Sequence, residues 1–235
     1  MLEEEYEIRR WLEENNVEQF RLEKIGAGIV VHAQSHVIIR SPALKKLPVQ
    51  FGVVEGNFYI KAPLQTLVGA PRGVKGSFTV DTLGVSLKSL IGAPTIVGDD
   101  FVCCDAKLKS LEGSPKLVMG SFVAANNLLM GLKHAPRTVG QDFDVSANPI
   151  HSLTGFNCEI AGNFIHTCHG GHRIDEVSSR YGLDQHTADF NRVKLPGDLI
   201  PHLIEQFYLE KLAHHRFCSM KPMRSRNVVR LLNEA

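Results

Sequence analysis

The chain is predicted to be a mainly β repeat solenoid of six coils of about 21 residues, with an N-terminal helix/strand cap and a helical C-terminal cap. Three observations predict it. A unit written L-x-x-L-x-G-x-P-x-x-V-x-G-x-F-x-V recurs from Leu44, Leu64, Leu87, Leu108, Leu129 and Ile150, at spacings of 20, 23, 21, 21 and 21 residues. Its apolar columns hold from copy to copy, the second one running Leu47, Leu67, Leu90, Leu111, Leu132 and Leu153. Finally, a unit this short cannot bury its own apolar face and must stack on its neighbours. The expected division is a cap over 1–43, a six-repeat solenoid over 44–167, and a second cap with a basic tail over 168–235.

At the start, residues 2–15 read as a helix. Tyr6, Ile8, Trp11 and Leu12 make an apolar side, acidic residues gather where the helix dipole favours them, and Asn15-Asn16 supplies a stop. Between Phe20 and Ile39, the β-branched runs Gly28-Ile29-Val30-Val31 and His36-Val37-Ile38-Ile39 read as strands. Their expected role is to cover the open first edge of the stack, which would otherwise present apolar surface and unpaired strand groups.

Within each unit the run around the phenylalanine alternates with period two, as in Val54-x-Gly56-x-Phe58-x-Ile60 and Val74-x-Gly76-x-Phe78-x-Val80. That alternation predicts a strand with one buried face. In two units the glycine moves one place, to Gly98 and Gly140. The segments Gly69-Ala70-Pro71, Gly92-Ala93-Pro94 and Gly113-Ser114-Pro115 are expected turns, with proline fixing φ after the L-x-x-L corner. After Phe164 the repeats stop. Asp198 is a natural N-cap for a helix to about Leu212, with Leu199, Ile200, Leu203, Ile204, Phe207 and Tyr208 at helical spacing, and a short helix over 224–232 follows.

The repeat resembles the short leucine-rich repeats of bacterial effectors. It is more similar to a group of phage-encoded leucine-rich-repeat-like proteins, in which a Trp-Leu helix end precedes short strands and then L-T-S-L-x-G-x-P-x-x-V-x-G-x-F-x-C-x-x-N units. The matching residues are Trp11-Leu12, Leu44-Lys45-Lys46-Leu47, Leu87-Lys88-Ser89-Leu90-Ile91-Gly92-Ala93-Pro94 and Phe101-Val102-Cys103. The resemblance covers roughly residues 10–167 and implies a fold and a viral origin; it implies no activity. The asparagine column survives at Asn127 and Asn148, while Ala106 replaces it one unit earlier, so an asparagine ladder would be short.

Charge is balanced, with 26 basic and 25 acidic residues and a formal net charge of +1, so the chain as a whole exerts no pull on nucleic acid or membrane. Met1-Leu2-Glu3-Glu4-Glu5 is acidic where a signal peptide is basic, and no apolar run approaches the roughly 18 residues of a membrane span. Five cysteines without a paired spacing suggest reduced thiols. A cytoplasmic protein is expected.

Residues flanking the buried phenylalanines should form two outward stripes. The first is Asn57, Ser77, Asp100, Ser121, Asp142 and Asn163; the second is Tyr59, Thr79, Val102, Val123, Asp144 and Ile165. The second stripe is more apolar than a solvated face requires, which makes it the expected contact for a protein partner. Taken with the resemblance, that partner would be a host or defence factor. β-propensity and cross-strand pairing, or cover by a terminal helix, explain the same residues without a partner.

A second cluster contains Cys158, His166, Cys168, His169 and His172, ligand types suited to zinc, with His214, His215 and Cys218 able to join only by folding back. His166, however, occupies the inward column of Ile60, Val80 and Val145, and Cys103 sits there as a small core residue. No G-x-S-x-G, phosphate-binding loop or H-E-x-x-H occurs, so an enzyme would have to be seated in residues 166–235. Asp99-Asp100 and Asp142-x-Asp144 fall on or beside repeat strands. The tail residues Lys211, Arg216, Lys221, Arg224, Arg226 and Arg230 leave nucleic-acid binding as the alternative function.

Overall fold

The computed structural model describes residues 4–150 and 153–166, together with the backbone of 193–194. The chain opens on α1 (Glu5–Glu14), which presents Ile8 and Leu12 to the interior. Asn15 closes it by donating its Nδ2 to the Trp11 carbonyl at 2.8 Å, and Asn16 turns left-handed at φ 56°. Tyr6, expected on the apolar side, is instead 72% exposed. It stands two positions before Ile8, too far round the helix to share its face.

The strands are β1 (Phe20–Ile25), β2 (Gly28–Ala33), β3 (Val37–Arg40), β4 (Gln50–Val54), β5 (Phe58–Lys61), β6 (Gly73–Val74), β7 (Phe78–Asp81) and β8 (Ile96–Val97). They continue with β9 (Phe101–Val102), β10 (Leu117–Val118), β11 (Phe122–Val123), β12 (Thr138–Val139), β13 (Phe143–Asp144), β14 (Glu159–Ile160), β15 (Asn163–Ile165) and β16 (Val193–Lys194). Alternate strands sort into two sheets. The first runs β1-β2-β4-β6-β8-β10-β12-β14, and the second runs β16-β15-β13-β11-β9-β7-β5-β3. From β2 onward the pairing within each sheet is parallel until β16 joins β15 antiparallel. The fold is therefore a β-solenoid of about six turns, as the period requires.

Two expectations are corrected. The Val-x-Gly-x-Phe run is not one strand: it bends at its centre, so that Val54 ends β4 in the first sheet and Phe58 opens β5 in the second. Burial alternates through the corner all the same, and sequence periodicity could not see the bend. The glycine there permits close coil-to-coil approach: a Cβ at Gly98 would stand 2.1 Å from the Lys75 carbonyl oxygen, and one at Gly140 equally near that of Met119. Second, β2 and β3 are more than a cover, because they pair in parallel with β4 and β5 and make the first level of the stack. At this end α1 and β1 stand outside the stack, β1 lying antiparallel to β2 from Phe20 opposite Ala33 to Ile25 opposite Gly28.

The interior is a column of rings. Phe58, Phe78, Phe101, Phe122, Phe143 and Phe164 stack with centroids 5.1–5.7 Å apart and planes within 16° of parallel. Leucines of the L-x-x-L corners line the third side, all buried from Leu47 to Leu153 except the half-buried Leu44. After the second leucine of five coils, Leu67, Leu90, Leu111, Leu132 and Leu153, comes a turn closed by an i+3 N–H to i carbonyl bond, for example Ala93 to Leu90 at 2.8 Å. Its third residue is left-handed in five coils: Gly69, Gly92, Gly113, His134 and Gly155, at φ 96°, 96°, 85°, 68° and 75°. That is a type II turn, which explains the glycine column; buried prolines follow it at Pro71, Pro94, Pro115 and Pro136.

The expected asparagine ladder is present and short. Asn127 Oδ1 accepts from the backbone N–H of Ala106 at 3.0 Å and Leu108 at 2.9 Å, while its Nδ2 donates to the Cys103 carbonyl at 2.9 Å. Asn148 repeats the arrangement one coil on, bonding Leu129 N–H and the Ala124 and Val145 carbonyls. The predicted C-terminal helices lie outside the described residues.

Candidate functional site

Once phenylalanine points inward, the next residue of each strand in the second sheet must point outward. The parallel register then aligns Tyr59, Thr79, Val102, Val123, Asp144 and Ile165 as directly adjacent partners across five strand pairs. All six are half-buried, as a flat sheet surface gives. The row has one more member than the sequence reading found: Ile38 pairs with Tyr59 and is 49% exposed. Its signal was legible, since His36-Val37-Ile38-Ile39 aligns with Asn57-Phe58-Tyr59-Ile60, but valine in the phenylalanine column hid it.

Beside the row runs a charged one, Arg40, Lys61 and Asp81. The Arg40 guanidinium lies 5.5 Å from the centre of the Tyr59 ring, and Lys61 Nζ contacts Asp81 Oδ2 at 2.7 Å. The Lys61 hydrogen bond, aided by the Leu83 N–H, holds the Asp81 carboxyl below the usual range. One end of the apolar row is thus flanked by fixed charge, and the opposite part carries the Asp144 carboxylate, which accepts from Ser146 N–H at 2.8 Å.

The other outward stripe is not available to a partner in the same way. Asn57 Oδ1 accepts from Ser77 N–H at 3.0 Å, Asp100 Oδ1 from Ser121 N–H at 2.7 Å, and Asp142 Oδ1 from Asn163 N–H at 2.7 Å. His36 Nδ1 does the same for Asn57 N–H at 3.0 Å. These side chains satisfy the corner backbone of the following coil, where the sheet ladder is interrupted. Ser77 Oγ also donates to Asp99 Oδ2 at 3.2 Å, and burial together with neighbouring Asp100 raises the Asp99 carboxyl above its ordinary value. Asp99, Asp100 and Asp142 are thereby engaged in holding coils together, whereas Asp144 bonds within its own coil.

Cys158 and His166 are both buried, at 8% and 6% exposure. Burial pushes the Cys158 thiol up and His166 down, so the pair is neutral near pH 7. His166 continues the inward column as expected, its ring 5.5 Å from that of Phe164. The fully buried Cys103 thiol is pushed up to about 12. Among the described residues no three His, Cys, Asp or Glu side chains could hold a metal ion together. Cys168, His169, His172, His214, His215 and Cys218, and the basic tail, lie outside the described residues. No helix among the described residues is long and apolar enough to cross a membrane.

No family model, curated protein or solved structure matches this chain significantly.

Proposed function

We propose that the chain is a protein-binding module whose contact is the outward row of the second sheet, Ile38, Tyr59, Thr79, Val102, Val123, Asp144 and Ile165. The observation that carries this reading is the register: seven half-buried or exposed side chains, mostly apolar, stand in one unbroken line. Contiguous apolar surface of this kind marks interaction sites on soluble domains, and solenoids expose such extended surfaces by construction. An aromatic anchor, Tyr59 under Arg40, is the sort of residue that dominates binding energy at interfaces. Following the repeat resemblance, the partner is a host or defence protein in the cytoplasm of an infected bacterial cell.

The test compares the full chain with a variant carrying Tyr59→Ala, Val102→Asp and Val123→Asp in affinity capture from host lysate with mass spectrometry. Partners retained by the parent chain and by an Ile91→Asp control, whose apolar residue lies off the row, should be lost from the triple variant. Unchanged capture by the triple variant would show that the row is not the interface.

A further inference from the structure

Near balance of charge over the whole chain hides a segregation within the solenoid. The L-x-x-L side with the turn that follows it, residues 43–50, 63–72, 86–95, 107–116 and 128–137, holds nine lysines and arginines against one acidic residue, Glu112. The rest of the same coils, 51–62, 73–85, 96–106, 117–127 and 138–148, holds seven acidic residues against two basic ones. Those two are paired, Lys61 with Asp81 and Lys75 with Glu55. The nine are not: each is exposed, and none forms an ion pair among the described residues.

Stacking concentrates them. Lys45, Lys88 and Lys109 each follow the first leucine of their coil and so share one column. Arg72, Lys116 and Arg137 share another, tied by backbone bonds from Thr95 N–H to the Arg72 carbonyl at 2.9 Å, Lys116 to Thr95 at 2.8 Å and Arg137 to Lys116 at 3.0 Å. Coils are about 4.8 Å apart, inside a Debye length of about 8 Å, so the fields of Lys88 and Lys109, or of Lys116 and Arg137, add together.

Aliphatic side chains stand among these cations. Val68, Ile91, Leu128 and Met130 are 48%, 52%, 44% and 59% exposed. Leu128 occupies the column of Lys107, Met130 that of Lys109, and Val68 and Ile91 that of Lys133. At the last of these positions the Thr66 and Ser89 hydroxyls accept from the Val68 and Ile91 N–H groups at 3.2 and 3.4 Å, which fixes the corner with its side chain turned to solvent.

We propose that this side docks on the surface of an anionic lipid bilayer, independently of the outward row of the second sheet. Headgroup charge attracts the lysines, and the boundary beneath it takes up the aliphatic side chains. A lysine stem lies along apolar surface while its ammonium stays in water, so the two residue types work in one layer. A nucleic-acid duplex offers phosphates but no apolar layer, and this side contains no aromatic residue on which bases could stack. Seven of the nine cations are lysines, point charges suited to a diffuse surface field, where arginine forks would grip single phosphates.

Flotation of the full chain with vesicles tests the proposal. The chain should float with vesicles of mixed phosphatidylcholine and phosphatidylserine and stay behind with phosphatidylcholine alone. Lys88→Gln with Lys109→Gln and Lys133→Gln should weaken partition about a hundredfold, at roughly fivefold per charge. Ile91→Ser with Met130→Ser leaves every charge in place and should still weaken it about tenfold. All five positions are exposed, and an unchanged far-UV circular dichroism spectrum shows that each variant folds. Arg224→Gln with Arg226→Gln and Arg230→Gln, in the basic tail, should cost less than the lysine variant. No flotation with phosphatidylserine, equal flotation without it, or a larger loss in the tail variant than in the lysine variant would overturn the proposal. So would tighter binding to a DNA duplex or to polyglutamate that the Ile91 and Met130 changes leave untouched, which would assign this side to nucleic acid or to an acidic protein.

Discussion

Phe101 and Phe122 stack with their ring centroids 5.1 Å apart and their planes only 4° from parallel. Parallel register fixes this: equal positions of successive coils sit one strand spacing apart, so identical rings in identical rotamers meet face against face. The Phe122 ring touches two others, Phe101 and Phe143, and removing it opens a void between coils. Phe122→Ala should cost about 3–5 kcal/mol, read as a lowered midpoint in urea denaturation followed by far-UV circular dichroism.

His134 takes the left-handed turn position that glycine fills in four other coils. His134→Gly should raise stability by roughly 0.5–1 kcal/mol, the relief of a side chain at positive φ less the freedom glycine adds to the unfolded chain. Gly113→Ala should do the reverse and cost at least about 2 kcal/mol, because its Cβ would stand 2.4 Å from the Ile91 nitrogen. Thermal melts of the two variants should move in opposite directions.

Asn127 bonds backbone groups of two coils from a buried position. Asn127→Leu would leave the Ala106 and Leu108 N–H groups and the Cys103 carbonyl without their side-chain partner, at a cost of about 3 kcal/mol or more. Thr82 is the contrasting case: it is 1% exposed and its hydroxyl has no hydrogen-bond partner among the described residues. Thr82→Val should therefore raise the denaturation midpoint, by about 1 kcal/mol in stability.

His166 gives the fold a pH dependence of known sign. Burial lowers its folded-state pKa below the ordinary 6.5, so under mildly acidic conditions the unfolded chain binds more protons than the folded one. Its contribution is intact above about pH 6.5 and declines as pH falls toward the folded value. His166→Val, which restores the residue type of Val80 and Val145 in that column, should flatten the fall in stability between pH 7 and 5 in parallel urea titrations.

The columns that were legible in the sequence are those whose neighbours are copies of themselves. Phe78, Leu90 and Val97 could be assigned inward because their spacing repeats, and the outward row from Tyr59 to Ile165 followed by alternation. The bend at Gly56 was not legible, since Val54 and Phe58 keep the same phase on either side of it. Nor was the role of Ser77, Asp100 and Asp142: a polar residue on an outward position reads as solvated until the next coil's N–H is placed against it. Val37 fills the first level where later coils use phenylalanine, which concealed that level as a strand cap.

A parallel coil adds one strand spacing, about 4.8 Å, to each sheet. Excision or duplication of one period, such as Leu108–Leu128, would bring ring onto ring and turn onto turn again. The protein's length is thus a digital quantity. Recombination between repeats can change the reach of its surface in whole steps, and each product inherits junctions already proven elsewhere in the same chain.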